Sequence, residues 1–126
     1  MHWLPYLLTA FLTKSRSLRL DSAYNDKNLS NIITVTQKLF NHGFLNIFFE
    51  KFPQNKKILY TNYCITKCRY YHDGDYYDPH TDLSILTIVT FLYDGDGFKG
   101  GEFKFTKYDH TVEQKNNRAV IFPGVV

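Results

Sequence analysis

Residues 71–93 read YHDGDYYDPHTDLSILTIVTFLY, and the fold turns on how this stretch is read. Its second half, Leu83 to Tyr93, is β-branched and aromatic and apolar at most positions. Such a run predicts a strand buried on both faces. Its first half carries Asp73-Gly74-Asp75, a turn signal, and then Asp78-Pro79-His80-Thr81-Asp82 directly before the strand. On extended backbone, side chains i and i+2 point to the same side, so His80 and Asp82 share one. An imidazole and a carboxylate placed together can converge on one metal ion. His-x-Asp alone is a common exposed polar pair, so its weight depends on the surrounding residues.

Downstream, Asp94-Gly95-Asp96-Gly97 and Gly100-Gly101 mark tight turns. Glu102-Phe103-Lys104-Phe105-Thr106 alternates strictly, as a half-buried strand does. Thr111 to Gln114 and Ala119 to Phe122 read as two further strands, separated by the turn-like Lys115-Asn116-Asn117. Upstream, Ile58 to Tyr71 is rich in Tyr, Ile, Thr and Cys and predicts a strand pair, while residues 22–30 (SAYNDKNLS) predict a loop. From Asn31, the apolar residues Ile32, Ile33, Val35, Leu39 and Phe40 fall near helical spacing, with Ser30 as N-cap and Gly43 as the stop. A helical N-terminal part followed by short strands at regular spacing predicts an α+β fold with a sandwich or rolled sheet.

Composition agrees with one β-rich globular domain. The chain has 126 residues, 44% hydrophobic and 17% aromatic, with 11 Phe and 10 Tyr. A net charge of +3 is too small to argue for nucleic acid, and Lys14, Arg16 and Arg19 read as a solvated face because no aromatics interleave with them. The apolar run in the first twelve residues is closed by Lys14 and Arg16, short of the about 20 residues a membrane helix needs. It reads as a buried helix or strand, a membrane anchor being the lesser alternative; a signal peptide would carry its charge before the apolar run. Cys64 and Cys68, on an extended segment, would lie about 13 Å apart, beyond disulfide reach. Two unpaired thiols predict a reducing compartment, the cytoplasm by default, where the sequon Asn28-Leu29-Ser30 has no role.

The pattern Tyr-x-x-Gly-x-x-Tyr-x-x-His-x-Asp, met by Tyr71, Gly74, Tyr77, His80 and Asp82, resembles the motif of prolyl 4-hydroxylase-like 2-oxoglutarate/Fe(II)-dependent dioxygenases. The strand from Thr87 to Leu92, then Gly100-Gly101-Glu102-Phe103-Lys104-Phe105, then Ala119 to Phe122 are similar to the elements that follow in that family, in the same order. The resemblance covers residues 60–126, with residues 1–59 as helical N-terminal support of a single domain. It implies a double-stranded β-helix (jelly-roll or cupin-like), with His80 and Asp82 as iron ligands and the Tyr71 hydroxyl on the co-substrate. Tyr71 otherwise reads as a strand tyrosine in the core; Tyr77 is expected to pack beside the metal loop, and Gly74 and Gly101 to serve turns that need positive φ. Some relatives have Tyr where this chain has Phe91, which offers no hydroxyl.

The implied activity is Fe(II)- and O2-dependent hydroxylation, coupled to conversion of 2-oxoglutarate to succinate and CO2 and supported by ascorbate. The implied prime substrate is a peptidyl proline or similar residue, in a protein, a peptide or a small molecule, with no nucleic-acid or membrane partner. The family's distal His lies just beyond the strand that Ile121-Phe122 resembles. An Arg or Lys about ten residues later pairs with the far carboxylate of 2-oxoglutarate. The sequence ends at Val126, before both, so the expectation is of a fragment without the closing strands. The alternative is an inactive β-helix domain that binds a ligand. His110 precedes the Val120–Phe122 strand, where a connection is expected, and His72 reads as a turn residue. A structural zinc site built from Cys64, Cys68, His72 and His80 is the remaining reading, disfavoured because Cys-x3-Cys on a strand splays its thiols.

Overall fold

The computed structural model describes residues 13–61, 64–92 and 97–124. The chain divides into two compact units, Met1–Tyr77 and Asp78–Val126.

The helices of the first unit are set by their caps. After the strands β1 (Thr13–Lys14) and β2 (Arg16–Arg19) comes a single helical turn, α1 (Leu20–Ala23). Two longer helices follow, α2 (Asn31–Leu39) and α3 (His42–Lys51). Ser30 caps α2 as its sequence predicts, its Oγ accepting from the Ile33 N–H at 3.3 Å. The stop is different from the one expected. Asn41 donates through Nδ2 to the Lys38 carbonyl at 3.0 Å and accepts through Oδ1 from the Phe44 N–H at 3.0 Å. One side chain thus satisfies an orphan carbonyl of α2 and an orphan N–H of α3, and Gly43 lies inside the second helix. Phe40, Phe44, Phe48 and Phe52 recur at four-residue spacing, with successive ring centroids 6.1, 6.0 and 5.1 Å apart. Phe48 is buried, as are Leu20, Ile33 and Ile58. Each such burial is worth about 1.5–3 kcal/mol.

The expected strand pair over Ile58 to Tyr71 is not what forms. Pro53 opens a 3-10 segment, Pro53–Tyr60, and one strand follows, β3 (Lys67–Tyr70). Its partner is the distant β2, in antiparallel register from Arg16↔Tyr70 to Arg19↔Lys67. β1 pairs in turn with β4 (Tyr76–Tyr77). Proline at the first helical position presets φ for a helical turn, and the choice of ladder partner is non-local. Between β3 and β4 the chain turns at His72–Asp75, closed by the Asp75 N–H on the His72 carbonyl at 3.0 Å. Gly74 takes φ +74 there, the third position of a type II turn.

The second unit holds β5 (Leu86–Thr90), β6 (Phe103–Phe105), β7 (His110–Val112) and β8 (Ala119–Pro123). β5 pairs antiparallel with β8, Thr87 facing Phe122, and β6 pairs with β7. The strand expected across Leu83 to Tyr93 is shorter and only half-buried, with Leu83 99% exposed. Apolar composition marks what can be buried; how much is covered depends on partners distant in sequence. In β6 the predicted alternation holds, Phe103 and Phe105 half-buried and Lys104 exposed. Phe91, Phe103, Phe105 and Phe122 form one aromatic cluster, with ring centroids between 5.0 and 6.1 Å apart, that joins β6 to the β5–β8 ladder. The turn before β8 has Asn117 at φ +62. Of the turn expected at Asp94 to Gly97, the first three residues lie outside the described ones.

Among the described residues the strands form four two-stranded antiparallel sheets, and the α-helices all fall in the first unit. No helix of the described residues is long and apolar enough to cross a membrane; the apolar run of the first twelve residues lies outside them.

Candidate metal centre

The loop Asp78–Asp82 is stiffened at its start. Pro79 fixes its own φ and keeps Asp78 out of the helical region. The His80 ring then folds back, Nδ1 lying 2.8 Å from the Asp78 carbonyl oxygen. A carbonyl only accepts, so Nδ1 carries the proton of this bond and Nε2 carries the lone pair of the neutral ring. Nε2 lies 3.2 Å from Asp82 Oδ1. The other carboxylate oxygen, Oδ2, accepts from the Thr87 hydroxyl at 2.7 Å, and Ser84 Oγ lies 2.6 Å from that hydroxyl.

These contacts fit a divalent ion. Two cis ligands of an octahedral ion, each about 2.1 Å from it, stand about 3.0 Å apart. The 3.2 Å between Nε2 and Oδ1 is close to that spacing, and each side chain keeps 30% of its surface open. Both side chains have outer contacts of the kind that metal ligands usually carry, a backbone carbonyl on the imidazole and a hydroxyl on the carboxylate. With the ring doubly protonated the same contact is an ion pair; with the ring neutral and Nδ1 protonated, Nε2 and Oδ1 each carry a lone pair. Among the described residues there is no group of three or more His, Cys, Asp or Glu side chains arranged to hold a metal, which the zinc reading requires. Cys64 and Cys68 are both free thiols.

Tyr71 follows β3 in the first unit and is 44% exposed, so it is not a core tyrosine. Tyr77 packs under Arg69, whose guanidinium sits 4.2 Å from the ring centroid and donates to the Tyr77 hydroxyl at 3.3 Å. His72 sets its ring edge-on to Tyr70 at 4.6 Å. His110 opens β7 opposite Phe105, so it is a strand residue and not part of a connection. Phe91 is buried in the aromatic cluster. In this unit the Glu113 carboxyl is held below its ordinary range, first by its hydrogen bond with Lys115 and then by Arg118. That trio serves the β7–β8 connection.

Thr87, Ser84 and the Asp78 carbonyl are the parts of this centre that sequence reading missed. A strand threonine is by default a β-branched filler, and a backbone carbonyl has no signature in sequence. No protein-family model matches the chain, and neither a curated protein nor a solved structure matches it.

Proposed function

We propose that this chain carries the His-x-Asp iron pair of a 2-oxoglutarate/Fe(II)-dependent dioxygenase of the prolyl 4-hydroxylase type, on a double-stranded β-helix fold. One observation supports the reading above the rest. His80 Nε2 and Asp82 Oδ1 stand at cis-ligand spacing, each steadied from behind by a backbone carbonyl or a hydroxyl. When bound, the iron supplies the oxidative chemistry, with 2-oxoglutarate as co-substrate, O2 as oxidant and ascorbate as reductant. The chain's own residues hold and orient: His80 through its Asp78 contact, Asp82 through Thr87. The prime substrate we assign is a peptidyl proline or a similar residue, on family resemblance. The free thiols of Cys64 and Cys68 accord with a reducing, cytoplasmic setting.

The test uses the 126-residue chain. Under anaerobic conditions it is titrated with Fe(II), and then with 2-oxoglutarate, following the visible charge-transfer band of a 2-oxo acid chelated to iron. Succinate is measured after O2 is admitted. Metal uptake should vanish in His80→Ala and in Asp82→Ala. Undiminished uptake in both variants would refute the ligand assignment. Succinate that forms only with both iron and 2-oxoglutarate present would favour the dioxygenase over a binding domain.

A further inference from the structure

Resting on the metal reading just proposed, we infer that Thr87 is the positioning residue of the pair, selecting which oxygen of Asp82 faces the ion, and that Gly124 seats the loop carrying this brace. The direction of the hydrogen bonds can be worked out. An ionised carboxylate only accepts, so the single Thr87 hydroxyl proton goes to Asp82 Oδ2 at 2.7 Å. In the 2.6 Å contact between the hydroxyls of Ser84 and Thr87, Ser84 is therefore the donor. Ser84 to Thr87 to Asp82 is one polarised chain ending on a charge, and its last bond has the length typical of an O–H on a carboxylate.

Without that chain the carboxylate has little to choose its orientation, because its terminal torsion is broad and roughly two-fold. Thr87 does not share this looseness. It is β-branched, with a stiff χ1, and sits within the β5–β8 ladder opposite Phe122. The hydroxyl is thus fixed by the sheet and hands that order to a carboxylate outside it. Holding Oδ2 leaves Oδ1 as the oxygen turned to His80 Nε2.

The seat of the brace is Gly124. A Cβ there would fall 2.0 Å from the Ser84 carbonyl oxygen and 2.5 Å from Ser84 Oγ. Only glycine lets the backbone beyond β8 lie this close to Ser84. The Gly124 N–H also points to the Ile85 carbonyl, at 3.4 Å.

Co(II) is the probe, since its visible absorption reports both binding and ligand geometry. Thr87→Val keeps the β-branch and removes the hydroxyl; it should weaken Co(II) binding about 10- to 100-fold and alter the spectrum. Thr87→Ser should restore both. Gly124→Ala should weaken binding in the same direction. Ser84→Ala, at an exposed loop position, should lower affinity by a smaller factor and tests the same chain if the valine variant does not fold. Wild-type affinity and spectrum in Thr87→Val and Ser84→Ala, with binding lost in Asp82→Ala, overturns the positioning role and leaves the metal pair standing. A wild-type chain that takes up no Co(II) removes the metal reading itself.

Discussion

The turn that ends at Asp75 and the loop that ends at Asp82 both finish on an aspartate, and they use it in opposite ways. Asp75 serves its own backbone: Oδ2 accepts from the His72 N–H at 2.8 Å, and Oδ1 faces Lys14 at 3.7 Å. Its side chain is only 8% exposed. Asp82 touches no backbone donor in these contacts. Its oxygens meet a hydroxyl and an imidazole nitrogen, and its side chain stays 30% open. The first arrangement is what a turn needs. The second places a carboxylate and an imidazole side by side, partly open at the surface, with the carboxylate held by a side-chain hydroxyl and not by a backbone donor. Folding explains Asp75, and under the proposed function a metal ion would account for the placement of Asp82.

Exchanging the two aspartates' fates is the strongest way to break this contrast. Asp82→Ala should lose divalent-metal uptake altogether, while its melting temperature without metal falls only slightly, by the loss of the Thr87 hydrogen bond. Asp75→Ala should do the reverse, keeping metal uptake and losing stability. Metal titration with thermal melts on both variants decides it. A metal-free Asp82→Ala chain that melts well below wild type would make Asp82 a structural residue like its neighbour.

The loss in Asp75→Ala can be sized. It removes an exposed hydrogen bond of the His72 N–H and the surface ion pair with Lys14, together worth about 1 kcal/mol. Urea titration should show the midpoint falling with an unchanged slope. Asp75→Asn, which keeps an acceptor oxygen, should recover most of it.

The same contrast explains which parts of the structure were readable. Ser30 as a cap, Gly74 in its turn and the Phe103-Lys104-Phe105 alternation depend on residues within one turn or strand, and each forms as read. His80 and Asp82 converge because i and i+2 share a side, again a local rule. The pairing of β3 with β2 has no local signature, so the sequence of Ile58 to Tyr71 predicts a pair where its described residues supply one strand. Asn41 was missed because a residue capping two helices at once competes with the more familiar glycine stop at Gly43. Thr87 was visible only as a strand former; its bond to Asp82 depends on how the loop folds back on β5.

A cap in the first unit sharpens the comparison at smaller amplitude. Ser30 is buried, and its Oγ holds the Ile33 N–H. Ser30→Ala should cost about 1 kcal/mol, through loss of an N-cap, without touching metal uptake. An effect on metal affinity would show that the helix cap and the metal loop are coupled.

The smallest effect belongs to Glu113, and its sign is fixed by the direction of its pKa shift. Lys115 at 2.8 Å and Arg118 at 2.9 Å hold the carboxyl below its ordinary value. A carboxyl with a lowered folded-state pKa binds its proton less readily folded than unfolded. Its contribution is therefore present above the unfolded-state value and is lost as pH falls through the folded one. The group is fully exposed, so the gain is slight and screened by salt. Glu113→Gln should lower the melting temperature marginally at neutral pH, and the difference should close in acid, below about pH 4, and in high salt. A difference that persists in acid would mean that the Arg118 bond to the Glu113 backbone carbonyl, also 2.9 Å, holds the β7–β8 connection and not the carboxylate. Surface ion pairs of this kind add a little stability and nothing more, whereas the proposed function asks the His80–Asp82 pair in the same unit to hold a metal ion.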